Sequence, residues 1–196
     1  MKPKRRKIGL YFGSFNPVHV GHLAIANAML CETDMQEIWF VLSPQNPLKE
    51  QKNLLADHHR LQILKEAIAD NPGFRACDIE FSLPKPSYTS LTLACLQEKY
   101  PEKGFCLIMG SDNLASFDKW RNYQNIIDNY DIYVYPRHNS TQTPWNNHQH
   151  VHFISAPMMD ISASYIRESI KNGKSVKYIL TEPVLKYIEE MNFYKN

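Results

Sequence analysis

Four cysteines in 196 residues, none of them in a CxxC pair, offer neither a disulfide framework nor a zinc-ligand spacing. Cys31, Cys77, Cys95 and Cys106 read instead as small buried hydrophobes of a protein in a reducing cytosol, so the expected location is cytoplasmic. No apolar run reaches the ~18 residues that a membrane span requires. Charge of either sign is also not in excess, since 22 Lys and Arg against 20 Asp and Glu give a net charge of +2. That balance argues against a nucleic-acid or membrane partner and suits a small phosphorylated metabolite. The basic start, residues 1–7, has the charge of a signal n-region, but the apolar segment behind it breaks at Gly13, so it is read as a solvated tail. There is no internal repeat.

Short apolar runs alternate with helical patterns along the chain. The runs are Ile8 to Phe12, Ile38 to Leu42, Phe74 to Ile79, Phe105 to Met109 and Ile132 to Tyr135, with a last short strand near Val151 to Ile154. Helical periodicity covers Val20 to Cys31, Asp57 to Ala69, Ser90 to Lys99 and Leu114 to Ile127. This alternation predicts one α/β domain, a Rossmann-like doubly wound parallel sheet with crossover helices. Residues 138–150 are polar, with loop chemistry and no apolar face, and are expected to form a mobile surface excursion. Beyond them Ser162 caps a helix through Tyr165 to Lys171, Asn172-Gly173 ends it, and Pro183 opens a final helix over Val184 to Met191. Val184, Leu185, Ile188 and Met191 form the apolar stripe of that last helix.

In such a sheet the ligand sits beyond the carboxyl ends of the strands, where the winding reverses. The chemically informative residues collect at those ends. Gly13-Ser14-Phe15-Asn16-Pro17-Val18-His19-Val20-Gly21-His22 follows the first strand and runs into a helix. Glycines allow close backbone approach, and free amides at a helix start favour anions. His19 and His22, three positions apart, face the same way on a first helical turn. An H-x-x-H pair is also half of a metal site, but no HExxH or neighbouring carboxylate completes a ligand set, so phosphate contact is the better reading. In Ile161-Ser162-Ala163-Ser164-Tyr165-Ile166-Arg167, hydroxyls and amides at a helix start precede a guanidinium by one turn, a combination that can hold the far phosphates of a triphosphate. His148, His150 and His152 alternate, but with no acidic or cysteine ligand beside them they are read as a solvated loop. His58 and His59 are expected at a helix start, one exposed and one partly covered.

GSFNPVHVGH and ISASYIR resemble the two signatures of the nucleotidyltransferase superfamily that shares its H-x-G-H motif with class I aminoacyl-tRNA synthetases. Within it the chain resembles the bacterial nicotinate-nucleotide adenylyltransferases. Further matching segments are Lys85 to Leu93, Leu107 to Asn113 with Trp120, and Tyr135-Pro136-Arg137, so the likeness covers nearly the whole chain. The resemblance implies transfer of AMP from ATP to nicotinate mononucleotide, with release of pyrophosphate, and Mg2+ carried by ATP. It implies catalytic roles for His19, His22 and Arg167. ATP contacts would come from Gly13, Ser14, Phe15, His19, His22, Gly110, Asp112, Ile161, Ser162, Ser164 and Arg167. The acceptor would meet Asn16, Lys49, Tyr88, Thr89, Trp120 and Arg137, with amides near Tyr88 and Thr89 taking the carboxylate and Trp120 stacking on the pyridine.

The chain departs from the family pattern in three places: Ser14 for a second glycine, Asn16 for an aspartate, and Leu48 for the histidine of the PxPPHK segment, here Pro44-Gln45-Asn46-Pro47-Leu48-Lys49. The rival functions are adenylyl transfer to nicotinamide mononucleotide or phosphopantetheine, and nucleotide binding without turnover. Tyr88-Thr89 with Trp120 favours the pyridine acid, and the intact histidines, serines and Arg167 disfavour loss of turnover.

Overall fold

A computed structural model describes residues 5–45, 54–138 and 142–195. Among the described residues six strands form one parallel sheet: β1 (Arg6–Gly13), β2 (Glu37–Leu42), β3 (Phe74–Cys77), β4 (Lys103–Gly110), β5 (Ile132–Tyr135) and β6 (Val151–Phe153), in the order β3-β2-β1-β4-β5-β6. This is the doubly wound arrangement that the alternation predicts, and its winding reverses between β1 and β4. Helices α1 (Val20–Glu32), α2 (Asp57–Ile68), α6 (Ala163–Lys171) and α7 (Glu182–Glu190) cover one face, and α3 (Thr89–Lys99) and α5 (Tyr123–Asn129) the other.

The central strands are apolar on both sides because both faces are covered. Side chains alternate between two cores with period two. Tyr11, Phe40 and Ile108 enter one, while Leu10, Val41 and Leu107 enter the other. Ser162 caps α6 through a 3.1 Å bond from the Tyr165 amide to its hydroxyl. Gly173, at φ 67°, ends that helix in the left-handed conformation a side chain would strain.

Four elements differ from the sequence reading. The third strand stops at Cys77, and Ile79–Ser82 form a 3-10 turn that carries Glu80 inward. The expected helix over Leu114 to Ile127 is broken into α4 (Ser111–Leu114), a 3-10 turn at Phe117–Lys119, and α5. The break has a physical cause: Phe117 plunges into the core, and Asn122 adopts the left-handed conformation at φ 57°. In the polar segment 138–150, residues 139–141 lie outside the described residues, but Trp145 packs edge-on against Phe117 and Tyr123 at 5.8 and 5.7 Å, so this segment does have an apolar anchor. In α7, Val184 and Ile188 are buried as the stripe requires, whereas Met191, the helix's C-cap, is exposed.

The reading of the three histidines also changes. His150 and His152 both reach the Asp131 carboxylate, at 3.0 and 3.3 Å, a partner brought by β5 rather than by sequence proximity. No metal-ligating cluster forms there among the described residues. His58 is exposed and His59 half-buried, as expected.

The strongest local constraint comes from Arg60 on α2, which has no exposed surface. Its Nη1 donates to the carbonyls of Ser14 (2.6 Å) and Ser43 (3.0 Å), its Nε to that of Leu55 (3.0 Å), and its Nη2 to Asp57 Oδ1 (2.6 Å). One guanidinium therefore fixes the chain where it leaves β1 and β2. Arg60→Met removes the charge and strands those carbonyls, so we expect a loss of about 3 kcal/mol or more. Thermal unfolding should shift down by roughly 10 °C; a midpoint within a degree or two of the parent would refute this role.

Candidate active site

Four strand ends meet at a cavity of about 560 Å³ on the carboxyl edge of the sheet. Gly13 and Ser14 border it after β1, Ser43 after β2, and Glu80, Ser87, Tyr88 and Thr89 between β3 and α3. Asp112, Lys119, Trp120 and Arg121 complete the wall after β4. A smaller cavity of about 210 Å³ shares Asp112 and Tyr135 with the first and is closed by Ile25, Arg137 and the segment 157–160. The two cavities share a wall, and aromatic side chains are concentrated around the larger.

Neither histidine lines either cavity, but each is coupled to a residue that does. His22 packs against Tyr11, which walls the larger cavity, with ring centroids 6.1 Å apart, while the Arg137 charge of the smaller cavity acts on His19. Their own rings lie 3.8 Å apart. The His19 amide donates to His22 Nδ1 at 3.3 Å, which places the His22 proton on Nε2 and makes that atom a hydrogen-bond donor. His19 is buried, and its Nδ1 has no hydrogen-bond partner. Gly21 is what lets this ring lie against the helix, since a Cβ there would sit 3.0 Å from His19 Nδ1.

Arg167 ties the two signatures together. Its Nη1 donates to the Asn16 carbonyl at 2.8 Å, across 151 residues of sequence, and its Nη2 donates to Ser164 Oγ at 3.2 Å. Ser162 and Ser164 are exposed at the start of α6, and Ile161 packs against the core just before it. Arg137 donates its backbone amide to Ser111 Oγ at 2.9 Å, while its Nε is buried without a partner.

Several residues named from the sequence are placed differently. The Phe15 side chain points into the core among Tyr11, His22 and Phe40, with its backbone at φ 42°, so only its main chain can meet a ligand. Asn16 is also turned inward: its Oδ1 accepts from the Leu55 amide at 3.2 Å and from the Tyr194 hydroxyl at 2.9 Å, so it braces the loop instead of lining the cavity. Lys49 and Leu48 lie outside the described residues. Tyr88, Thr89 and Trp120 do come together in the larger cavity, although 31 residues separate Thr89 from Trp120. Sequence reasoning missed Arg60, Glu80 and Tyr194, because each acts through contacts made only in the fold; a carboxylate next to an apolar strand end was the only available signal for Glu80.

Burial, with the nearby Arg137 charge, pushes the His19 pKa down to about 4. The ring is therefore neutral at pH 7. A folded-state value below the unfolded 6.5 means that the unfolded chain binds more protons between pH 4 and 6.5, so stability falls by roughly 3 kcal/mol as pH drops through that window. The His19 ring resonances should titrate near pH 4 in the free protein, measured by NMR. Titration near 6.5 would mean that the ring is solvated and the packing described is wrong.

A family model described as cytidylyltransferase-like matches residues 10–169, most of the chain. The "Probable nicotinate-nucleotide adenylyltransferase" of Cytophaga hutchinsonii is 49% identical over 190 residues, covering 97% of this chain and 99% of that one. The protein of the same description from Flavobacterium psychrophilum is 51% identical over 191 residues, covering 96% and 99%. Among solved structures, the Plasmodium falciparum nicotinic acid mononucleotide adenylyltransferase complexed with NaAD superposes with a TM-score of 0.81 at 20% identity, covering 96% of this chain and 97% of that one, a likeness of fold. With relatives near half identity across their full length, this chain belongs to the nicotinate-nucleotide adenylyltransferase family of the cytidylyltransferase-like superfamily.

Proposed function

We infer that this enzyme transfers the AMP moiety of ATP to nicotinate mononucleotide, forming the deamido precursor of NAD and releasing pyrophosphate. The observation that carries this reading is the Arg167 to Asn16 bond, which brings the serines of α6 to the loop that holds both histidines. Phosphate ligands and an adjoining aromatic cavity then form one path for two nucleotides.

In this reading the triphosphate lies over the start of α1 and α6. His22 Nε2–H donates to the α-phosphate, where charge builds as the bond to the β-phosphate breaks. Ser162, Ser164, Arg167 and the unpaired amides at the α6 N-terminus hold the departing pyrophosphate. Neutral His19 presents a second nitrogen, and an approaching triphosphate raises its proton affinity. Gly110, Asp112 and Arg137 border the nucleoside of ATP. Magnesium would arrive on the triphosphate as part of the substrate.

The attacking group is a phosphate oxygen of the mononucleotide, already ionised at neutral pH. No covalent intermediate and no strong base are needed, so the rate enhancement comes from alignment and charge stabilisation. Pyridine recognition falls to the larger cavity. Tyr88 is the N-cap of α3 and makes no side-chain bond to the helix, and its carbonyl takes the Leu91 amide, so the amides of Thr89 and Ser90 stay available to an anion. A carboxylate satisfies such donors better than a carboxamide. Trp120 supplies a flat face for the cationic ring, and its buried Nε1–H lacks a partner.

Pyrophosphate release should be fast with nicotinate mononucleotide and slow with nicotinamide mononucleotide or phosphopantetheine when the three are compared side by side. Equal rates would remove the acceptor assignment. His22→Ala should lower turnover about a hundred- to a thousand-fold with little change in thermal stability. A near-normal rate in that variant would contradict the role of the α1 histidines.

A further inference from the structure

Glu80 is a buried carboxyl beside the acceptor cavity for which the transfer reaction gives no reason. It is only 1% exposed and borders the larger cavity next to Ser87 and Tyr88. Its Oε1 accepts a 2.7 Å bond from the hydroxyl of Thr92, itself buried on α3. Its Oε2 is buried and, like the Ser87 hydroxyl, makes no hydrogen bond of good geometry, although the Ser87 and Ser43 hydroxyls lie close enough to stabilise the Glu80 charge.

The groups around Glu80 are hydroxyls rather than cations. Thr92 and Ser87 face it from the α3 side and Ser43 from the end of β2. On its own side of the fold the Cys77 thiol feels its charge. Asp112, Lys119 and Arg121 border the same cavity, but no ion pair joins Glu80 among the described residues. Burial raises the carboxyl's proton affinity above the ordinary range, and the three hydroxyls only partly offset this. A ligand carboxylate at the amides of Tyr88 and Thr89 would bring a second negative charge next to Ser87. Two carboxyls in one desolvated site do not readily stay ionised together.

We propose that Glu80 makes the acceptor preference pH-dependent by taking up a proton when a pyridine carboxylate binds, and in that neutral form donates from Oε2 while Oε1 keeps Thr92. The proton comes from solvent, forms an O–H bond on Glu80, and returns to solvent when product leaves. No bond in the ligand changes. An acceptor with a carboxamide brings no charge and leaves Glu80 ionised, so the preference for acid over amide falls as pH rises. The proposal rests on reading this cavity as the nicotinate mononucleotide site.

The test is calorimetric titration of the full-length protein with nicotinate mononucleotide at pH 7 to 8.5, in two buffers that differ in ionisation enthalpy. The parent should take up protons on binding, and Glu80→Gln, a neutral isostere, should lose the part due to Glu80. The KM for the acceptor should rise several-fold over this range in the parent and stay flat in Glu80→Gln. Titration of the ligand's own phosphate is common to both and cancels. The same uptake and the same KM slope in both proteins would overturn the Glu80 proposal alone. Binding of nicotinamide mononucleotide but not of the acid to the parent would overturn the acceptor assignment and this proposal with it. Should the variant fail to fold, infrared difference spectra of the parent decide: a protonated-carboxyl carbonyl band should appear on acceptor binding, and its absence would overturn the proposal.

Discussion

The buried guanidinium of Arg60 sets the geometry on which the cleft depends. Strands of a parallel sheet end in loops whose carbonyls need partners once water is excluded. Here one side chain satisfies the carbonyls at Ser14 and Ser43, and Asp57 balances its charge. The Ser43 side of this anchor continues to the acceptor cavity through the bond from the Ser87 amide to the Gln45 carbonyl at 3.0 Å. The Ser14 side continues to Asn16, where Arg167 and Tyr194 arrive from the end of the chain. Residues far apart in sequence are thus held in register, chiefly by the bonds of Arg60 and Arg167 to main-chain oxygen.

That rigid frame carries polar atoms that have already lost their water. Among the described residues the buried side-chain atoms without a partner include Ser87 Oγ, Trp120 Nε1 and Glu80 Oε2 of residues that line the larger cavity, Arg137 Nε of the smaller, and His19 Nδ1. Each costs folding free energy, and a cluster of them in one place is hard to explain by packing. Their sum is a surface whose donors need not reorganise when charge develops on a phosphate, the arrangement from which electrostatic catalysis draws its strength. The start of α3 adds oriented amides at the larger cavity.

Much of this was legible in the sequence, for reasons tied to particular residues. Buried strands show as apolar runs, so β1, β2, β4 and β5 and the doubly wound order followed directly. The His19 and Ser162 segments were readable because glycine, hydroxyl and imidazole at a helix start have few other uses in combination. The helix predicted over Leu114 to Ile127 failed because periodicity cannot see Phe117 entering the core or the left-handed turn at Asn122. Trp120, at the end of the 3-10 turn in that break, lines the cavity. Phe15 and Asn16 sit inside a motif whose neighbours face the ligand, and only the fold shows that their own side chains face the interior. Arg60 and Glu80 look in sequence like solvated charges on a helix and a loop, and their burial is decided by distant strands.

The central claim is that phosphate chemistry at the α1 histidines and pyridine recognition at Trp120 belong to one cleft. A crystal structure of the protein with the deamido-NAD product tests it most directly. The account predicts the pyridine ring stacked on Trp120, its carboxylate at the amides of Tyr88 and Thr89, and the bridging phosphates beside His22. Density for the pyridine away from Trp120, or phosphates remote from both His22 and the α6 N-terminus, would contradict it.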